Sequence, residues 1–197
     1  MTAEPGNTGH EAQDQAWRGS RWRAAAWGGV AGLFLLPLAA KLFTDNLGWD
    51  AADFALFGAM LLGVGGCFDL AARKSRHGAY RAAVGVALAS AFLLLWVNAA
   101  VGLIGSEDHP ANTMFGGVLA IALVGAVSAG FRPQGMARAM VATAIAQAAV
   151  AVIALAALDA GWRDTLLSTG IFATLWLLSA WLFRRSGAAP AAADPAL

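Results

Sequence analysis

Six times along this 197-residue chain an apolar run of about twenty residues begins and ends at charged or turn-forming residues. Wound as a helix at about 1.5 Å per residue, such a run spans the hydrocarbon of a bilayer. Six of them in so short a chain leave too little polar sequence to solvate a water-soluble surface. The fold class they imply is an all-α membrane protein, a six-transmembrane-helix bundle that also reads as three helical hairpins. The expected spans are about 24–43, 54–72, 78–104, 113–131, 136–158 and 165–183. Residues 1–20 lack an apolar period and read as a disordered tail, as do the Ala- and Pro-rich residues 186–197. The transmembrane domain is then 21–185.

Composition agrees with this. Charged residues make up 13% of the chain, against about 25% for soluble domains. A net charge of +1 provides no field that would recruit nucleic acid. The single cysteine, Cys67, lies in an apolar run and has no partner for a disulfide or a thiolate metal site. Arg18, Arg21 and Arg23 followed by an apolar run closing on Pro37-Leu38-Ala39-Ala40 also have the form of a cleaved signal peptide. The long polar lead and the natural pairing with the second span favour a retained helix.

The placement of charge tests the count. Of thirteen basic residues, all but Lys41 and Arg163 fall before span one, between two and three or at the start of three (Arg81), between four and five or at the start of five (Arg138), or after six. Asp45, Asp50, Asp53, Glu107, Asp108, Asp159 and Asp164 gather at the alternate turns. The positive-inside rule makes the basic side cytoplasmic, with both termini inside. A chain of this kind, rich in Arg and Ala, is expected in a bacterial inner membrane.

The densest polar chemistry between the tails lies in Trp96–Asn112, WVNAAVGLIGSEDHPAN. Asn98 is in the third span, with Gly102 and Gly105 on its face, where it is either an interhelical clamp or a ligand-facing amide. Gln147 and Thr143 in span five, one turn apart, are its natural partners if spans three and five touch. Ser106, Glu107, Asp108, His109 and Asn112 crowd the following loop. Adjacent residues rarely converge, so Glu107, Asp108 and His109 are weak metal candidates that need ligands from other loops. The alternative is loop chemistry, with Asn112 or Thr113 capping helix four. The ligand-binding candidates are Asn98, Ser106, Glu107, Asp108, Asn112 and Gln147. No haem, iron–sulfur, nucleotide or zinc signature accompanies them. No catalytic residue is assigned.

At this loop the chain resembles a small bacterial family of integral membrane proteins that has no assigned activity. Its members read close to IGSEDNPAN and continue into an F-R-P-x-G-M-A-R-A turn, here Phe131–Ala139. The likeness covers about residues 50–185. Where that family has Asn, this chain has His109, which implies that the imidazole as such is dispensable.

Three functions remain open from sequence. The protein binds or passes a small solute or ion near the outer face; or it is an accessory subunit of a larger membrane complex or a homo-oligomer; or it is a membrane-embedded enzyme acting on a lipid or quinone head group. The bilayer is the one partner common to all three.

Overall fold

The computed structural model describes residues 8–43, 48–75, 77–106, 108–158 and 161–188. Six α-helices account for most of them: α1 (Thr8–Phe43), α2 (Ala51–Lys74), α3 (Gly78–Val101), α4 (Met114–Ser128), α5 (Pro133–Ala157) and α6 (Trp162–Gly187). A short 3-10 turn, Pro110–Thr113, leads into α4. Among the described residues five helices are long and apolar enough to cross a membrane, and the apolar stretch Trp27–Phe43 is shorter. The helices thus have the length and composition of a multi-pass membrane protein. α1 begins at Thr8 and takes in residues 8–20, which have no apolar period.

The chain divides into two compact units, Met1–Asp69 and Leu70–Leu197. In the first, α1 and α2 meet through aromatic rings. Phe34 lies 6.4 Å from Phe54 and 6.3 Å from Phe57, and Trp49 packs edge-on against both of these α2 rings. Gly58 leaves room for Phe34, and Gly65 for Val30 and Trp27. Lys41 is held within this unit. Its ammonium donates to the Trp49 carbonyl and lies 5.5 Å over the Phe54 ring. The start of α2 is a reciprocal cap: Asp50 Oδ1 accepts from the N–H groups of Ala52 and Asp53, and Asp53 Oδ2 accepts from Asp50 N–H.

In the second unit α5 packs against both α4 and α6, and α6 against α3. The buried stripe of α5 includes Met136, Met140, Thr143, Ala144, Gln147, Val150, Ala151 and Ala154, at helical spacings of three and four. Two glycines permit the close α4–α5 approach. A Cβ on Gly125 would lie 2.7 Å from the Ala139 Cβ, and one on Gly135 would lie 2.6 Å from that of Ala129. The turn between these helices passes through Gly130 and Phe131, both at positive φ. The Tyr80 hydroxyl donates to the Phe131 carbonyl at 2.9 Å. Ser179 Oγ, on α6, donates to the Ala83 carbonyl of α3 at 2.9 Å. Large apolar side chains point outward along the same helices, among them Leu123, Val124, Ile145, Val152 and Leu167. A bilayer solvates such a surface without cost.

Candidate functional site

α3 stops earlier than its hydropathy suggests. The expected span ran to Ile104, but the helix ends at Val101 because Gly102 takes φ +70. The backbone then folds under the control of one side chain. Asn112 is 4% exposed, and its Oδ1 accepts from Leu103 N–H at 3.1 Å and Ile104 N–H at 2.9 Å. Its Nδ2 donates to the Ser106 carbonyl at 2.7 Å. Both ends of the amide are therefore spent on loop backbone. The expected cap on helix four is replaced by a clamp reaching back toward α3.

Asn98 joins this clamp. Its Nδ2 donates to the Asn112 carbonyl at 3.2 Å, while its Oδ1 is buried and accepts no hydrogen bond. His109 caps the 3-10 turn, its Nδ1 accepting from Ala111 N–H at 3.2 Å, which places the ring proton on Nε2. Gly105, at φ +68, packs against the His109 ring. The side chains of Ser106 and Asp108 are exposed. Glu107 lies outside the described residues. Among the described residues no group of three His, Cys, Asp or Glu side chains is disposed to hold a metal.

Gln147 is not part of this cluster. Gly187 lies beside Pro133 and Gln134, so α5 and α6 run antiparallel with Gln147 level with about Ala173. Ser179 against Ala83, and Tyr80 against Phe183, carry the same level across to about Ala89 on α3. Asn98 is about nine residues beyond that, roughly 13 Å along the axis. The expected Asn98–Gln147 pairing therefore fails on depth. Thr143 turns back on its own helix, donating to the Ala139 carbonyl at 2.9 Å.

The site thus ties Asn98 of α3 to Asn112 in the loop that also carries Ser106, Asp108 and His109, and leaves Gln147 apart. Chemically the loop offers acceptors: one buried carbonyl oxygen and the exposed Asp108 carboxylate. The cationic end is elsewhere, in a cavity of about 450 Å³ lined by Arg132, Gln134, Arg138 and Gly187 among others. Sequence reasoning gave little weight to the deep polar groups of Ser90, Trp176 and Ser179, because isolated small hydroxyls and an indole in an apolar helix carry no pattern. No family model, curated protein or solved structure matches this chain.

Proposed function

We propose that the protein is a multi-pass inner-membrane protein, with both termini cytoplasmic, that binds a small donor-bearing solute or cation at the outer end of α3. One observation carries the reading. Asn98 Oδ1, in the last turn of α3, is a buried acceptor without a donor, beside a loop whose buried amide, that of Asn112, is satisfied internally. Such an oxygen is costly to desolvate unless something donates to it, and polar groups inside a membrane span are functional suspects by default. The exposed Asp108 carboxylate in the same loop favours a cationic or hydroxyl-bearing guest over an anion.

Native mass spectrometry from mild detergent tests this. Wild-type protein should carry a small adduct that Asn98→Leu loses and Asn98→Asp, which keeps an acceptor, retains. A wild-type chain that is bare in every charge state, or an adduct indifferent to both substitutions, refutes the reading. A co-purifying protein chain in place of a small mass would make the accessory-subunit reading the better one.

A further inference from the structure

A second set of unpartnered polar atoms lies much deeper. Gln147 is 1% exposed, and neither its Nε2 nor its Oε1 has a hydrogen-bond partner. Trp176, also 1% exposed, has a buried Nε1 with none. The register set by Gly187 beside Pro133 places these two residues within about one turn of each other on facing helices. Both belong to the buried stripes of their helices, so they share the interior of the α3–α6 unit. The neighbouring hydroxyls do not serve them. Ser90 donates to its own helix at Val86 and Thr143 to its own at Ala139.

We propose that Gln147 and Trp176 form a binding site midway along α5 for a neutral guest that presents an oxygen acceptor. The donor balance sets the class of guest. A glutamine amide brings two N–H donors and one acceptor oxygen, and an indole brings one donor and no acceptor. The pair therefore asks mainly for an acceptor. Charge sets the second limit: no buried side chain among the described residues is ionised, so an ion there would lose its hydration with no counter-charge in return. Water from the aqueous phase and a carbonyl oxygen of a bilayer-soluble molecule share the required chemistry. This site is independent of the loop at Asn98, which offers acceptors instead.

The test uses the full chain in lipid nanodiscs with ¹⁵N-labelled tryptophan. The Trp176 indole signal, one of eight, is assigned by its loss in Trp176→Phe. A water guest gives cross-relaxation between the indole proton and water, together with exchange into D₂O. A carbonyl guest gives no water signal but a neutral mass by native mass spectrometry. Gln147→Met, similar in volume and without donor or strong acceptor, should reduce either readout at least tenfold. Two results overturn the proposal. One is an indole proton that senses only protein protons, with no mass that depends on Gln147. The other is a Gln147→Met protein that melts higher while the Trp176 signal stays in place. If Gln147→Met does not fold, the wild-type readouts decide between a guest and none.

Discussion

Asn98 donates its side-chain amide to the backbone carbonyl of Asn112 across 3.2 Å, so the last turn of α3 is tied directly to the residue that controls the following loop. Asn112 in turn holds Leu103, Ile104 and Ser106. Two amides therefore hold the first half of the connection to α4, and His109 caps the 3-10 turn that completes it. Asn112 supplies the order, and Asn98 is left with one oxygen to spare.

Asn112→Ala should be among the most damaging single substitutions in the second unit. It leaves the N–H groups of Leu103 and Ile104 without their acceptor, and Ile104 is 3% exposed. At about 1–3 kcal/mol for each buried group left unsatisfied, a loss of about 2–4 kcal/mol is expected. Asn112→Asp keeps the acceptor but sets a carboxylate oxygen against the Ser106 carbonyl in a site only 4% exposed, so it too should fall below wild type. Thermal unfolding in detergent gives the order; equal midpoints for all three proteins would mean the clamp is not what holds the loop.

His109 acts through Nδ1 as an acceptor for Ala111 N–H, a role an asparagine oxygen performs equally well. His109→Asn should leave stability unchanged to within a few tenths of a kcal/mol, whereas His109→Ala should cost about 1 kcal/mol. A protein as unstable with Asn as with Ala would show that the ring itself is needed.

The bilayer filter is what made so much of this architecture legible. Span length and the segregation of charge are properties of composition over twenty residues, and they survive ignorance of every contact. Contacts that reach across the chain did not survive it. Leu103 and Ile104 look like a further half-turn of apolar helix, and nothing local reveals that Gly102 has turned the backbone or that Asn112 has claimed both N–H groups. Asn112 itself looked like a cap for the helix after it. Asn98 and Gln147 seemed matched by chemistry, but depth separates them, and depth follows from loop lengths and helix ends that hydropathy places only to within a turn. The depth of Trp176 is legible in the sequence and reads as packing more readily than as a pocket wall; that its indole N–H goes unused is not legible, because an unused hydrogen bond is a fact about neighbours.

Gly125 and Gly135 mark where α4 and α5 come closest, and their predictions can be checked in pairs. A Cβ at 125 would stand 2.7 Å from that of Ala139, well inside van der Waals contact, so Gly125→Ala should push the helices apart at a cost of about 1–3 kcal/mol. Adding Ala139→Gly removes the opposing carbon and should restore much of the loss. Gly135→Ala and Ala129→Gly form the second cycle, with a 2.6 Å conflict. Coupling energies near zero in both cycles would show that the two helices are free to separate.

Phe131 gives the opposite kind of prediction, a gain. Its φ of +60 is a left-handed conformation that costs a residue with a Cβ about 1–2 kcal/mol, and its side chain is 44% exposed. Phe131→Gly should therefore raise the unfolding temperature, less whatever the ring contributes by packing or by contact with lipid. The substitution keeps the backbone carbonyl that accepts the Tyr80 hydroxyl. Tyr80→Phe, by contrast, keeps the ring, which sits edge-on 5.3 Å from Phe183, and loses that hydrogen bond, for a cost of about 1 kcal/mol. The two effects act on different terms, strain in one case and a hydrogen bond in the other, so in the double substitution they should nearly add. If Tyr80→Phe proves harmless once Phe131→Gly is in place, the hydroxyl serves chiefly to hold the turn in its strained form, and the hydrogen bond and the strain are one device.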